Sequence, residues 1–265
     1  MQQLIDMTGR VIVVTGAASG IGRATARQFA ELGGQVLATD RDPAGLETTS
    51  QGHFEGSITT LRHDVTSQAD WREVFAAVRS LGRLDVLVNN AGIMLAGPFE
   101  DAPLDDLRRQ YQINVEGPFM GMQGAIPLMK ESIAKHGARP SIINVSSVYG
   151  QVAGARYAAY SASKGAIKML SKAVANELAT TGIRVNSIHP GPTATNLGAN
   201  HPPQLDATGE ALPATVAMAN WLRLIPMGRF GTVDDIAPVI AFLASDAAGY
   251  ITGAEIVIDG GYAAV

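Results

Sequence analysis

The chain has 265 residues, 46% hydrophobic and 17% charged, with 20 basic and 24 acidic residues giving a formal charge of −4. That length and apolar content fit one α/β domain with a substantial core, and a mildly acidic chain without basic clusters excludes nucleic acid and anionic membranes as expected partners. The absence of cysteine excludes disulfides, thiolate nucleophiles and thiolate metal sites, and with no leader pattern or apolar run of membrane length a soluble cytoplasmic protein is expected.

Val11–Thr15 is a short β-branched run, predicted as a strand, and a glycine turn follows at once: Thr15-Gly16-Ala17-Ala18-Ser19-Gly20-Ile21-Gly22. Residues 21–32 have helical spacing, with Ile21, Ala24, Phe29 and Leu32 apolar. Gln35–Asp40 is a second strand and closes a βαβ unit. The alternation continues with a strand at 58–61, a helix at 67–81 and a strand at 84–89. A long helical region at 103–135 contains Pro118 and Pro127, which are expected to kink or break it. Then come a strand at 141–146, a helix at 157–179, a strand at 183–188, a helix at 234–244 and a last strand at 256–259. Such alternation predicts a parallel sheet covered on both faces. Residues 190–226 break the rhythm, with Pro190, Pro192, Pro202, Pro203 and Pro213 and no strand signal. An excursion of that length reads as a substrate lid at about 192–226, with a short helix at 214–224 presenting Met218, Trp221 and Leu222.

Within the helix at 157–179 stands Tyr160-Ser161-Ala162-Ser163-Lys164. Residues four apart share a helix face, so the lysine ammonium is expected to favour the phenolate and draw the tyrosine's pKa down towards neutrality. That would make Tyr160 a general acid–base. Ser147 lies thirteen residues earlier, just past the strand at 141–146. The glycines of the first turn permit a sharp bend and close approach of the backbone to a pyrophosphate, which the helix N-terminus attracts. The five histidines show no ligand spacing, and no metal is expected.

Taken together, these motifs resemble the short-chain dehydrogenase/reductase family over nearly the whole chain. The matching pieces are Thr15-Gly16-x-x-x-Gly20-x-Gly22, Asn89-Asn90-Ala91-Gly92, Asn114, Ser147, Tyr160-x-x-x-Lys164, Pro190-Gly191 and Ile258-Asp259-Gly260-Gly261. The resemblance implies a single Rossmann-type domain with a seven-stranded parallel sheet, and hydride transfer with NAD(P) at a carbonyl or alcohol carbon. It implies a catalytic set of Asn114, Ser147, Tyr160 and Lys164. Ser147 would hold the substrate oxygen, Tyr160 would exchange its proton, and Lys164 would also bind the nicotinamide ribose. Asn114 would hold a water that links the lysine to solvent. The implied cofactor contacts are Gly16, Ser19, Gly20, Ile21 and Gly22 at the pyrophosphate, Asp64 and Val65 at the adenine, and Asn90, Ala91 and Gly92 at the adenosine ribose. Pro190, Gly191, Thr193 and Thr195 would follow at the nicotinamide, and His189, just before them, is the one histidine expected near the cofactor.

Asp40 ends the second strand, where a carboxylate accepts from ribose hydroxyls and repels a 2′-phosphate. Relatives that prefer NADP usually carry a basic residue where this chain has Ser19, so the expected cofactor is NAD, with Arg41 read as a solvated side chain. Specificity is expected in residues 93–99, 151–157 and the excursion after Pro192. These offer Met94, Leu95, Val152, Tyr157, Leu197, Leu212, Met218 and Trp221 with little charge. They suit a neutral small molecule such as an apolar alicyclic, aromatic or steroid-like secondary alcohol. The alternatives are an NADPH-dependent 3-oxoacyl-thioester-type ketoreductase and a non-catalytic dinucleotide-binding protein. By resemblance the protein is a homotetramer, assembled through the long helices and the C-terminal strand.

Overall fold

A computed structural model describes residues 5–195, 197, 203–204 and 210–264. His201 and Pro202 lie outside these residues, as do parts of the expected lid. Seven parallel strands form one sheet: β1 (Val11–Thr15), β2 (Gln35–Asp40), β3 (Ser57–Arg62), β4 (Val86–Asn89), β5 (Ser141–Val145), β6 (Arg184–Pro190) and β7 (Glu255–Ile258). Their order is β3-β2-β1-β4-β5-β6-β7. The register runs Val11 opposite Gln35 and Ile12 opposite Val86, so β1 is an interior strand paired on both sides. The β1 and β5 sequences are buried at every position, the pattern of strands covered on both faces rather than one.

Helices α1 (Gly20–Glu31) and α8 (Val233–Ala244) cover one face, where Phe29, Ile236 and Ile240 meet Ile12, Val14 and Ile143. On the other face α3 (Gln68–Ser80), α5 (Gly117–His136) and α6 (Ala158–Leu178) bring Trp71, Phe75, Met122, Met129 and Leu178 against Val13, Leu87 and Ile142. The chain leaves β1 for β2 and β3 on one side and returns to β4 on the other. Ligand crevices of open α/β sheets lie at such a switch, outside the carboxyl ends of the strands. Among the described residues no helix is long and apolar enough to cross a membrane.

Three elements differ from expectation. A short helix, α2 (Pro43–Ser50), occupies the stretch after β2; Asp42 caps it by accepting from the Ala44 N–H, with Pro43 in its first turn. Its polar sequence, with Gly45 and paired threonines, carries little helical signal. The region 103–135 is three pieces: α4 (Leu104–Tyr111), a π-helical turn Gln112–Glu116, and α5. Pro118 sits in the first turn of α5, directly after the π-helical turn. It cannot donate to the carbonyl of Asn114, its α-helical partner, which localises the wide turn there. Pro127 lies inside α5 without ending it. Finally, the excursion contains the expected helix as α7 (Ala214–Arg223) but also a parallel bridge of Thr193 with Gly231, where no strand signal was read.

Candidate active site

The strand ends at the switch carry the glycine turn after β1, Asp40 at the end of β2, Asp64 and Val65 after β3, Asn90 to Gly92 after β4, Ser147 after β5, and Gly191 after β6. The turn has no room for side chains. Gly16 has φ +66°, and a Cβ there would stand 2.7 Å from the Ala91 Cα; one on Gly22 would meet the Gly16 carbonyl oxygen at 2.1 Å. The Thr15 hydroxyl accepts from the N–H groups of Asn90 (3.0 Å) and Ala91 (3.1 Å), and the Asn90 amide donates back to the Thr15 and Gly16 carbonyls at 2.9 and 3.1 Å. The loop after β4 thereby fixes the turn after β1. Ser19 is the N-cap of α1, its side chain makes no capping bond, and with Gly20 and Ile21 it lines the crevice, so its hydroxyl and the first-turn N–H groups are available there as donors. An acceptor-only pyrophosphate fits this cradle.

Asp40 is half-buried and oriented from two sides: one carboxylate oxygen accepts from the Ala18 N–H and the other from the Asp42 N–H, each at 3.0 Å. Arg41 beside it is exposed. The Asp64 carboxylate accepts from the Thr66 N–H and hydroxyl at 2.9 and 2.8 Å, and the former bond is the main reason its pKa is lowered. Val65 is buried under Gly117. Thr195 packs against Gly20.

The second half of the crevice holds Ser147, Tyr160 and Lys164, all buried. Ser146 and Ser147 separate clearly in role. The Ser146 hydroxyl donates to the Lys164 carbonyl at 2.8 Å, which anchors α6 to the end of β5. The Ser147 hydroxyl accepts from the Tyr149 N–H at 3.1 Å and hydrogen-bonds to Tyr160. Lys164 Nζ donates to the Val145 carbonyl at 2.8 Å and stands 5.7 Å from the centre of the Tyr160 ring. The two residues share a helix face as the spacing requires.

The expected fall of the tyrosine's pKa does not follow from that pairing. Burial pushes the Tyr160 phenol up to about 12, with hydrogen bonding from Ser147 pulling the other way. Burial likewise pushes Lys164 down to about 8. The ammonium faces a carbonyl oxygen, and both groups have lost water, so desolvation outweighs the attraction inferred from spacing.

Asn114, in the π-helical turn, is fully engaged through its side chain. Its amide oxygen accepts from the Ile93 N–H at 2.9 Å, and its amide nitrogen donates to the Ile93 carbonyl at 2.9 Å and to Ser163 Oγ at 3.0 Å. This side chain splices the segment after β4 to α6, one residue before Lys164. His189, the one histidine that sequence placed near the cofactor, holds the strand end: one ring nitrogen pairs with the Ser147 carbonyl at 3.0 Å and the other with Ser187 Oγ at 2.9 Å. It is buried, and desolvation lowers its pKa. Its position just before Pro190-Gly191 was the available signal.

Two connected cavities occupy the crevice. One, of about 940 Å³, is lined by Gly16, Ser19, Asp40, Arg41, Asp64 and Val65 among others. The second, of about 550 Å³, holds Ser147, Tyr160, Lys164, Gly191 and Thr193. Ile21, Asn90, Gly92 and Thr195 border both. The apolar wall of the smaller cavity includes Met94, Val148, Leu197, Met218 and Trp221, of which Met94 and Leu197 also border the larger one. Val152, Tyr157 and Leu212, expected in the substrate wall, do not line it. Tyr157 packs behind Tyr149 with ring centres 5.0 Å apart, and Val152 is exposed. Leu95 borders the larger cavity instead.

Residues 16–263 match the family model described as Enoyl-(Acyl carrier protein) reductase. The chain is 37% identical to a 2,5-dichloro-2,5-cyclohexadiene-1,4-diol dehydrogenase of Sphingobium indicum, covering 97% of each chain. It is 35% identical to an NADP-dependent (R)-specific alcohol dehydrogenase of Lentilactobacillus kefiri, over 97% of this chain and 98% of that one. Among solved structures it is similar to a 3-ketoacyl-(acyl-carrier-protein) reductase of Brucella melitensis complexed with NADH. That likeness has a TM-score of 0.86 at 33% identity, over 98% of this chain and all of the other.

Proposed function

The chain belongs to the short-chain dehydrogenase/reductase family, and on that premise we propose that it interconverts a secondary alcohol and a ketone with NAD. The substrate we assign is a neutral, largely apolar alicyclic, aromatic or steroid-like molecule. The observation that carries this reading is the meeting of Ser147, Tyr160 and Lys164 in one cavity whose remaining walls are chiefly apolar.

The nicotinamide dinucleotide, when bound, supplies the hydride acceptor or donor. The chain's own residues do the rest. The Ser147 hydroxyl hydrogen-bonds the substrate oxygen and holds it against Tyr160. Tyr160 as phenolate takes the alcohol proton in oxidation, and as phenol it gives a proton to the forming alkoxide in reduction. Lys164, fixed by the Val145 carbonyl, presents positive charge beside the tyrosine. Asn114 keeps α6 in register with the segment after β4 through Ile93 and Ser163. Gly16, Ser19, Gly20, Ile21 and Gly22 receive the pyrophosphate, Asp64 and Val65 the adenine, and Asn90, Ala91 and Gly92 the adenosine ribose. Pro190, Gly191, Thr193 and Thr195 lie on the nicotinamide side.

Support for NAD comes from Asp40, whose carboxylate is held at the larger cavity by two backbone N–H groups. An anion fixed there accepts from ribose hydroxyls and opposes a 2′-phosphate. We assign the segment 192–226 as a substrate lid on a single domain, supported by Pro203, Gln204, Met218 and Trp221, which line the smaller cavity. We further assign a cytoplasmic homotetramer, supported by exposed Phe119 on α5, Met169 on α6 and Val257 on β7; a monomeric mass by light scattering would contradict it.

The test is the rate of NADH formation from NAD with a panel of alicyclic, aromatic and steroid-like secondary alcohols, repeated with NADP. Turnover with NAD is the expected result. Preference for NADPH with oxo-thioesters would favour a biosynthetic ketoreductase, and tight dinucleotide binding without turnover on any carbonyl or alcohol would favour a non-catalytic binder.

A further inference from the structure

Arg156 joins the three segments that wall the substrate side of the smaller cavity. Its backbone has φ 72°, the only positive value at a non-glycine position among the described residues. A side-chain-bearing residue is held in that region only where its surroundings over-determine it. The surroundings here are specific. The Arg156 carbonyl accepts from the Gly97 N–H at 2.9 Å, tying it to the segment that carries Met94. Its guanidinium Nη1 donates to the Pro203 carbonyl at 3.0 Å. Pro203 and Gln204 both line the cavity. The Gln204 amide donates to the Ala217 carbonyl at 3.3 Å and accepts from Asn220 at 3.0 Å, which joins it to α7 and so to Met218 and Trp221. Immediately after Arg156, the buried Tyr157 begins the helix that presents Tyr160.

The backbone and the side chain at this position make opposed demands. A glycine would adopt the backbone without strain, but only a long donor reaches Pro203. The guanidinium Nε is also buried with no partner among the described residues, a cost that a merely solvated arginine would not carry. We propose that Arg156 is a positioning residue that sets the spacing between Met94, the start of α6, and the wall formed by Pro203, Gln204 and α7. It thereby fixes how a bulky neutral alcohol sits against Ser147 and Tyr160. The inference rests on the alcohol–ketone activity proposed above only for its kinetic consequence.

Arg156→Gly removes the side-chain tie while relieving the backbone, so it separates the role from folding. Arg156→Lys keeps charge and length without the planar fork. The expected result for the glycine variant is a KM for cyclohexanol raised about tenfold or more with kcat changed less than about threefold. NADH affinity and melting temperature should hold, and hydrogen exchange in peptides spanning 210–223 should be faster. Lysine should restore part of the KM. Unchanged KM together with unchanged exchange would overturn the proposal. So would a joint fall in kcat, NADH affinity and melting temperature, or a loss confined to alcohols bearing a carboxylate, which would make Arg156 a ligand-binding group instead. If the intact protein oxidises no alcohol, the functional reading fails, while the exchange comparison still decides the role of Arg156.

Discussion

Replacing Asp40 by serine removes the negative charge at the end of β2 and frees the N–H groups of Ala18 and Asp42, which now donate to it. The exposed Arg41 beside it keeps its charge. A carboxylate and a 2′-phosphate charge about 4 Å apart, at an effective dielectric of about 20, repel by about 4 kcal/mol. Solvent and salt reduce that at a half-exposed position to about 1.5–3 kcal/mol, or about ten- to a hundredfold in affinity. The same change removes charge-assisted hydrogen bonds to the ribose hydroxyls of NAD, worth about 1.5–3 kcal/mol. The ratio of kcat/KM with NADP to that with NAD should therefore rise by about a hundredfold or more in Asp40→Ser. Initial rates with each dinucleotide, followed by the absorbance of reduced nicotinamide, measure it. Raised salt should narrow the difference for the wild type. A variant that loses NAD without gaining NADP, or a wild type that already prefers NADP, would refute the reasoning.

Lys164→Met should abolish turnover yet stabilise the dinucleotide-free protein. Burial moves the lysine from 10.5 to about 8, so the unfolded chain holds more protons between those values and stability rises with pH across that window, with the full penalty present below about pH 8. That penalty is about 3 kcal/mol, offset by about 1 kcal/mol for the lost bond to Val145, so a melting temperature at neutral pH that falls in the variant would contradict the assignment. His63, buried beneath the larger cavity against Trp71 and paired with Thr39 at 3.0 Å, is pushed by burial from 6.5 to about 4. Here too the unfolded state binds the proton first, so stability falls as pH drops from about 6.5 to 4, by about 3 kcal/mol in total. Melting curves across that range should be flatter for His63→Gln than for the wild type; parallel curves would remove His63 from the acid response.

Much of the dinucleotide half was legible because its signals are local. Gly16 and Gly22 stand where backbone approaches backbone, and a short β-branched strand followed by that turn and a helix admits few alternatives. Tyr160 and Lys164 were legible for the same reason, since helical spacing alone sets their shared face. What sequence did not yield depends on distant partners. The commitment of Asn114 to Ile93 and Ser163, the grip of His189 on the Ser147 carbonyl, and the orientation of Asp40 by Ala18 join residues 21 to 49 positions apart. The direction of the Tyr160 pKa was misjudged because spacing reports proximity, whereas desolvation depends on everything packed around the pair. The wall of the smaller cavity was only partly legible: Met218 and Trp221 reach it from α7, but Tyr157 is turned into the aromatic cluster behind Tyr149. Pro118 and Pro127 look alike in sequence, yet only Pro118 coincides with an altered helix, because it stands four residues after Asn114 at the junction of two elements.

The most direct test of proton transfer by Tyr160 is the turnover of Tyr160→Phe on the best secondary alcohol found with the wild type, measured beside its NADH affinity. The ring and its packing survive, and only the hydroxyl is lost. General acid–base catalysis is worth about a hundred- to ten-thousandfold, so kcat should fall within or beyond that range while NADH binding stays within about twofold. A variant that keeps more than about a tenth of the wild-type kcat would show that another group carries the proton, and the roles assigned to Tyr160, Ser147 and Lys164 would fall with it.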